Sequence, residues 1–375
     1  MKAKILDTKI ICENKHSAHN YFGWPTVAKL RDGKIMVGAS GFRVRHVCPY
    51  GKAVVCTSYD DGETWTPPTV VIDTLIDDRD VGITPFGESS VMVMSLSDSM
   101  EYINEFYGAI KDESHPRFDR FGKFKDYSLA YAEFVKDKEN VNEFLGSNFR
   151  VSHDNGLTFG PIHNVPPMIP HGPCVLPDGR IFAMGNTRGD GIHYDRFLSS
   201  YIINPDTGEC ELVSKIYSDD FITEDVIACE PYTIVTKSGK MIVHIRVENS
   251  DMSIKTTYQC ESYDLGKTFT KPHKLFDDDT GATPTHILQH SSGALIAVHA
   301  WRKESGIDAM VSTDDGETWE KGLEIYRNEE LLDWSYPSSC ELSDGSILTV
   351  FYADPEGEPN SKACSVMAVK WRLEK

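Results

Sequence analysis

Ser58-Tyr-Asp-Asp-Gly-Glu-Thr-Trp65 is the first of four stretches that share the pattern Ser-x-Asp-x-Gly-x-Thr-aromatic. The others are Ser152-His-Asp-Asn-Gly-Leu-Thr-Phe159, Ser262-Tyr-Asp-Leu-Gly-Lys-Thr-Phe269 and Ser312-Thr-Asp-Asp-Gly-Glu-Thr-Trp319. The Asp side chain can accept backbone N–H bonds within a turn, and the Gly allows a backbone angle that a side chain disfavours. The Thr and the aromatic residue favour re-entry into a strand. Each copy therefore predicts a tight hairpin with a structural role.

A second repeat consists of two apolar runs separated by a turn that ends in Gly. Asp-Gly and Ser-Gly between such runs are typical of β-hairpins. The six turn glycines are Gly33, Gly87, Gly179, Gly239, Gly293 and Gly345.

These glycines are spaced 54, 92, 60, 54 and 52 residues apart, so the period is about 50–60 once the long interval is set aside as an insertion. That length suits a four-stranded antiparallel blade. We predict an all-β, six-bladed β-propeller in which residues 1–375 form one domain. Blade three has a degenerate second turn at Asn204–Leu212. The N-terminal strand, about Lys4–Cys12, should join the C-terminal strand Ala363–Leu373 and close the ring, leaving no unpaired edge.

An insertion of about residues 97–128 is expected in blade two. Asp98-Ser-Met-Glu101 resembles a helix start, and Tyr102, Phe106, Tyr107 and Ile110 follow at helical spacing. Two interpretations stay open: a surface excursion or homo-oligomer contact, and a lid over the central pocket.

The charge, the apolar runs and the cysteine content limit the classes of partner and the cellular location that we expect. The formal net charge is −19, which argues against nucleic acid as a partner, because phosphate binding needs a basic surface. The sequence contains no apolar run typical of a signal peptide or membrane span. It has nine cysteines and no C-x-x-C pair. These features predict a cytoplasmic protein with reduced thiols and no membrane partner.

Ionisable and aromatic residues precede the first strand of each blade, at positions that meet at one mouth of a propeller. They are Trp24 before blade one, Asp78, Arg79 and Asp80 before blade two, His171 before blade three, Glu230 before blade four, His286 before blade five and Tyr336 before blade six. Further cations stand where the second strand joins the third: Arg43, Arg45, His46, Arg188, Arg246 and Arg302. The histidines from three blades have no metal-ligand spacing, so no metal or cofactor is expected.

The repeated turn is similar to the Asp-box of the sialidase-like (BNR-repeat) glycoside hydrolases. The resemblance extends from Trp24 to Tyr352, apart from the blade-two insertion. This resemblance implies a six-bladed propeller in which Tyr336 is the nucleophile and Glu230 its carboxylate partner. It also implies that Arg246 and Arg302 belong to a site for the substrate carboxylate.

Two positions depart from the family pattern. Gly23-Trp24-Pro25 stands where sialidases carry the first arginine of their triad, and the loop expected to hold the general-acid Asp has no carboxylate. Arg45 or Arg79 is the candidate replacement for the arginine, and Asp78, Asp80 or His46 for the acid. Trp24, His171 and His286 complete the predicted substrate site.

The predicted function is an exo-acting glycoside hydrolase for a small acidic sugar, sialic-acid-like or uronate-like. A lyase that abstracts the proton alpha to a uronate carboxylate, and a non-catalytic sugar-binding propeller, are the alternatives.

Overall fold

The computed structural model describes residues 1–98, 108, 112–114, 125–136, 138, 140–189, 193–223, 226–249, 253–276, 281, 283–331, 333–354 and 363–374. Within these ranges the chain forms six four-stranded antiparallel sheets.

Each sheet is one blade, and in blades one to five the strands run in chain order from the first to the outermost. The strands of blades one to three are β2 (Tyr21–Lys29), β3 (Ile35–Arg43), β4 (Lys52–Ser58), β5 (Thr69–Ile72), β6 (Arg79–Phe86), β7 (Ser90–Ser97), β8 (Gly146–Ser152), β9 (His163–Val165), β10 (Cys174–Val175), β11 (Ile181–Gly185), β12 (Phe197–Ile203) and β13 (Cys210–Tyr217). Those of blades four to six are β14 (Val226–Val235), β15 (Met241–Asn249), β16 (Lys255–Ser262), β17 (His273–Lys274), β18 (Thr285–Gln289), β19 (Leu295–Trp301), β20 (Gly306–Ser312), β21 (Glu320–Arg327), β22 (Trp334–Glu341), β23 (Ile347–Ala353), β24 (Ser365–Glu374) and β1 (Lys2–Cys12).

The ring is closed. The first strands of neighbouring blades, β2, β6, β10, β14, β18 and β22, contact one another in this order, and β22 returns to β2. β1 pairs antiparallel with β24 from Lys2↔Glu374 to Cys12↔Val366, so the N-terminal strand is the outermost strand of blade six. Closure in this way leaves the circle of sheets without an open first or last blade. The predicted six-bladed propeller is confirmed.

The four Asp-boxes form nearly the same turn. In the first, Asp60 Oδ1 accepts the backbone N–H of Thr64 at 2.8 Å and the Ser58 hydroxyl at 2.8 Å, and Asp60 Oδ2 accepts the Thr64 hydroxyl. The Ser58 oxygen in turn accepts the N–H of Gly62 at 2.8 Å. All these bonds lie within one eight-residue stretch, which explains why the motif predicts the turn without tertiary information.

Two features of the Asp-box turns require glycine: a positive φ and close contact with the preceding blade. Gly266 has φ of 83°, and a Cβ there would lie 2.4 Å from Phe182 in the neighbouring blade three. Gly316 has φ of 82°, and its Cβ would lie 2.4 Å from Ile242 in blade four. The turn therefore also packs one blade against the preceding one.

The insertion in blade two is longer than the predicted interval 97–128. The third strand of the blade begins only at Gly146, because Lys125–Lys136 form helix α1 and Val141–Phe144 form a 3-10 turn. The predicted helix near Asp98 falls almost wholly outside the described residues. Among the described helices, none is long and apolar enough to cross a membrane.

Helix α1 packs against blade one. Ala132 and Val135 form an apolar cluster with Val44 and Cys48, which belong to the loop between β3 and β4. The Tyr131 hydroxyl donates to the Leu75 carbonyl at 3.2 Å. The helix thus supports the loop that carries Arg45 and His46.

Candidate active site

In five blades a non-glycine residue within the first strand, or just before it, lies in the left-handed region of backbone space. These residues are Trp24 (φ 51°), Asp80 (φ 46°), His171 (φ 63°), Glu230 (φ 46°) and Tyr336 (φ 56°). Such a conformation is uncommon for a residue with a side chain and is often found at functional sites. In four of the five blades a shift in strand register accompanies it. The bulge interrupts the alternation of side chains, and these five residues meet around the axis of the propeller.

Tyr336 and Glu230 form the centre of this group. The Tyr336 hydroxyl donates to Glu230 Oε1 at 2.7 Å. Arg246 Nη1 donates to Glu230 Oε2 at 2.7 Å and to the Tyr336 oxygen at 3.0 Å. A phenol thus faces both a carboxylate that can take its proton and a cation that can stabilise the resulting phenolate.

Burial and charge set the protonation states of this pair. Burial raises the pKa of Tyr336 well above its ordinary value, and the charge of Glu230 adds to the rise while Arg246 opposes it. Burial also acts to raise the pKa of Glu230, but Arg246 and the bond from Tyr336 outweigh it and leave that pKa below its ordinary value. At neutral pH Glu230 is therefore a carboxylate that accepts from a neutral Tyr336.

Asp80 differs from Glu230 although it occupies the equivalent place in blade two. It is 6% exposed, and among the described residues its Oδ1 has no hydrogen-bond partner. Burial, opposed by Arg79 and reinforced by the charges of Glu230 and Asp98, raises the pKa of Asp80 to about 7. The site therefore pairs an ionised carboxylate with a carboxylic acid that keeps its proton near neutral pH, a pattern typical of acid–base catalysis.

Asp78 faces a different environment. Its Oδ2 accepts the backbone N–H of Thr74 at 2.8 Å, and its Oδ1 accepts the hydroxyls of Ser95 at 3.1 Å and Thr74 at 3.2 Å. Burial raises the pKa of Asp78 to about 7 as well. Both oxygens of Asp78 are therefore engaged by donors of the protein itself, Thr74 and Ser95.

Trp24 stands where the resemblance placed an arginine, and two arginines lie over its ring. Arg43 Cζ is 4.7 Å and Arg79 Cζ 4.6 Å from the ring centroid. Arg43 is fully buried and forms a bidentate ion pair with Asp77. Arg79 lies 3.7 Å from Asp98 and 3.9 Å from Asp77. Both guanidinium groups therefore already lie beside carboxylates of the protein itself.

Arg302 is different from these arginines. Its Nη2 donates to the Ser335 hydroxyl at 2.9 Å, and its buried Nε has no hydrogen-bond partner among the described residues. No ion pair with a carboxylate is formed by Arg302 within that part of the chain. It is thus a cation with donors to offer, beside the residue that precedes Tyr336.

Glu248 and Lys255 were not predicted from the sequence. Glu248 Oε2 accepts from Arg246 Nε at 2.9 Å and from Arg246 Nη2 at 2.6 Å, and Lys255 Nζ lies 3.6 Å from the same oxygen. Burial, reinforced by Arg246 and Arg302 and opposed by Glu248, lowers the pKa of Lys255 to about 8. Strand pairing offers a way to find them, because Glu248 and Lys255 are direct cross-strand neighbours on β15 and β16.

His46 is held at the edge of the aromatic cluster around Trp24 by Asp333, which precedes the first strand of blade six, and by Tyr21 of blade one. His46 Nδ1 lies 3.1 Å from Asp333 Oδ2, and the Tyr21 hydroxyl donates to the same oxygen at 2.7 Å. The His46 ring packs edge-on against Trp24, with centroids 4.9 Å apart. Its half-exposed ring is thereby oriented by a carboxylate.

The two remaining predicted histidines are buried near the axis. The His171 ring lies 5.4 Å from that of Tyr336, and burial lowers the pKa of His171 to about 4. His286 packs against Tyr232 with centroids 4.4 Å apart, and burial lowers its pKa to about 3. Both rings are neutral at physiological pH. Within the described residues no group of three or more His, Cys, Asp or Glu is arranged to hold a metal ion.

A family model described as a BNR repeat-like domain matches residues 134–349, more than half of the chain. The chain belongs to this family. No curated protein matches the sequence.

Solved structures extend the likeness over the whole chain of this BNR repeat-like protein. A protein of unknown function from Dyadobacter fermentans is 16% identical, covers 99% of both chains and has a TM-score of 0.69. The NanB sialidase of Streptococcus pneumoniae is 14% identical over 97% of this chain and 70% of its own, with a TM-score of 0.67. An alpha-L-arabinanase of Penicillium chrysogenum, complexed with arabinobiose, is 13% identical over 98% of both chains, with a TM-score of 0.59. Identities this low show the fold alone, and that fold is the sialidase-like propeller.

The structure of this BNR repeat-like protein brings most of the predicted site residues together. One cluster at the propeller axis contains six of them: Trp24, Asp80, His171, Glu230, Arg246 and Tyr336. Three more lie at the border of this cluster: Arg79, Arg302 and His46. Asp78 faces Thr74 and Ser95 instead. Arg45 Nη1 donates to the Val44 carbonyl at 3.2 Å, within the blade-one loop.

Proposed function

We propose that this protein is a retaining, exo-acting glycoside hydrolase for a small acidic sugar, with Tyr336 as nucleophile. The observation that carries the proposal is the bond from the Tyr336 hydroxyl to Glu230 at 2.7 Å, with Arg246 Nη1 at 3.0 Å from the same hydroxyl. A phenol is a poor nucleophile until a base takes its proton, and this geometry supplies the base and a cation for the phenolate.

In the first step the Tyr336 oxygen attacks the anomeric carbon while its proton passes to Glu230. Asp80 donates its proton to the glycosidic oxygen, which leaves as an alcohol. In the second step the Asp80 carboxylate takes a proton from water, the resulting hydroxide attacks the anomeric carbon, and Tyr336 departs and recovers its proton from Glu230. Two displacements at one carbon retain its configuration.

Arg302 is the proposed receptor for the acidic group of the sugar, because it has donors without a carboxylate partner among the described residues. Guanidinium groups bind carboxylates through two parallel hydrogen bonds, which favours one orientation of the substrate.

The decisive experiment traps the intermediate. The protein is incubated with activated fluorosugars, digested, and the labelled peptide is sequenced by mass spectrometry. We expect the label on Tyr336. The Tyr336→Phe variant should take up no label, and its kcat should be at least 10³-fold lower than that of the wild type. Label on Glu230 would refute the tyrosine nucleophile.

Matched controls separate this hydrolase from its alternatives. Tyr352→Phe removes a hydroxyl that donates to Asp333 at 3.1 Å and is expected to keep the label. A product that absorbs in the near ultraviolet would reveal a lyase, and sugar binding without turnover of any aryl glycoside would reveal a binding propeller.

A further inference from the structure

The guanidinium group of Arg246 is almost fully used by the protein itself. It makes four hydrogen bonds: Nε and Nη2 donate to Glu248, and Nη1 donates to Glu230 and Tyr336. An arginine has five N–H donors, so a single donor remains. Arg246 cannot form the two parallel bonds by which arginine grips a substrate carboxylate.

The fold fixes Glu248 beside Arg246. It lies two residues after Arg246 on β15, so both side chains emerge on the same face of the strand. Its side chain is 12% exposed, and its Oε2 is also 3.6 Å from Lys255. Expelling Glu248 would break a buried group of ion pairs, which is strongly unfavourable unless the newcomer replaces every contact.

The position of Arg246 indicates which class of substrate loses a binding partner when Glu248 occupies this arginine. Sugars such as sialic acid carry a carboxylate on the anomeric carbon, the atom that Tyr336 would attack. That carboxylate must lie within two bonds of the nucleophile's target. Arg246, whose Nη1 is 3.0 Å from the Tyr336 hydroxyl, lies beside that target, and Glu248 already occupies its Nε and Nη2 edge.

The remaining arginines nearby do not compensate. Arg43 is paired with Asp77, and Arg79 lies between Asp98 and Asp77. Trp24, 2% exposed, fills the position at which the family resemblance implies a further arginine. Arg302 differs from Arg43 and Arg79, because it donates to Ser335 and its Nε has no hydrogen-bond partner among the described residues.

We propose that Glu248 is a specificity determinant that takes the place of an anomeric carboxylate, so that the substrate is an aldose-derived glycoside of the hexuronate class. Its anomeric carbon carries a hydrogen in place of a carboxylate, and its own carboxylate, attached to C5 on the other side of the ring oxygen, binds Arg302. This inference rests on the proposed function for the location of the anomeric carbon beside Tyr336.

The test is a comparison of affinities, which needs no turnover. Isothermal titration calorimetry measures binding of the methyl glycosides of glucuronic acid and of N-acetylneuraminic acid, both anomers of each. We expect the wild-type protein to bind a glucuronide at least tenfold more tightly than either neuraminide. Glu248→Gln, which removes the charge but keeps the shape, should reduce that ratio at least tenfold by gaining affinity for a neuraminide.

Glu261→Gln is the matched control, because Glu261 lies on β16 and its carboxylate accepts from Gln259 and Thr270 at 2.6 Å each. It should leave the ratio unchanged. Glu248→Asp keeps the charge but shortens the reach to Arg246, so it should shift the affinity ratio in the same direction as Glu248→Gln. It replaces Glu248→Gln in the test if the glutamine variant does not fold.

The inference is overturned if the wild-type protein prefers a neuraminide, binds no glucuronide, or keeps its ratio when Glu248 is changed. The hydrolase proposal fails separately. If the wild type cleaves no aryl glycoside and yet shows the expected ratio and its dependence on Glu248, the specificity stands and the hydrolysis does not.

Discussion

Asp80 offers the sharpest prediction, because its proposed role depends on a raised pKa. An Asp with the ordinary pKa of 3.8 would keep its proton in fewer than one molecule in a thousand at pH 7, whereas a pKa of about 7 keeps it in half of them. The environment of Asp80 therefore increases the population of the acid form by roughly 800-fold at pH 7.

The sign of the pH dependence follows directly. As the pH rises through 7, Asp80 loses the proton that the leaving group needs, so kcat/KM should fall about tenfold per pH unit. At lower pH the rate should stay level until Glu230, whose pKa lies below its ordinary value, takes up a proton. The assay is a kcat/KM profile from pH 4 to 9 with an alkyl glycoside, a substrate whose leaving group requires protonation.

Asp80→Asn should abolish the alkaline limb and reduce kcat by about 10²–10⁴ for alkyl glycosides, with a much smaller loss for an activated aryl glycoside. Arg79→Met should move the limb to higher pH by on the order of one unit, because the cation lowers the pKa of Asp80. Asp98→Asn should move it the other way, since the charge of Asp98 raises that pKa.

Asp78→Asn is the control for this series. Burial raises the pKa of Asp78 to about 7 too, but its oxygens face Thr74 and Ser95. The alkaline limb should persist in this variant. An unchanged limb in Asp80→Asn, or its loss in Asp78→Asn, would contradict the assignment of the acid.

Three further outcomes test the site and the fold. Arg302→Met should raise KM for an acidic substrate at least tenfold with little change in kcat, and an equal effect on a neutral analogue would argue against an anion receptor. Gly266→Ala should cost roughly 2–4 kcal/mol in denaturant unfolding, because the new Cβ lies 2.4 Å from Phe182 at a φ of 83°. Gly239→Ala, with a φ of 89° but open space around the Cβ, should cost only about 1 kcal/mol. Deleting Lys2–Cys12 removes the strand that completes blade six and should lower the melting temperature and promote association, as judged by light scattering.

Much of the fold was predictable because its determinants are local. The hydrogen bonds of each Asp-box lie within eight residues, and the regular spacing of the hairpin glycines predicts the number of blades. The helix Lys125–Lys136 was not predicted. Its apolar residues are stabilised by the blade-one loop at Val44 and Cys48, a partner that is distant in sequence.

The core of the candidate site was also accessible from motif and position. Tyr336, Glu230 and Arg246 were singled out by the blade starts and the family resemblance, and they are in hydrogen-bond contact. Glu248 and Lys255 were missed, because an acidic and a basic residue on adjacent strands resemble an ordinary surface pair until the path of β15 into the site is known.

Asp78 and Asp80 show most clearly where sequence reasoning ends. The sequence by itself determined that acidic residues cluster at the start of the first strand of blade two, and the period of two along a strand would direct both side chains to one face. Only the tertiary structure separates them. The left-handed backbone at Asp80 and the accompanying shift in register send one carboxyl toward Tyr336 and leave the other with Thr74 and Ser95, because a bulge depends on the packing of neighbouring blades as well as on the residues that form it.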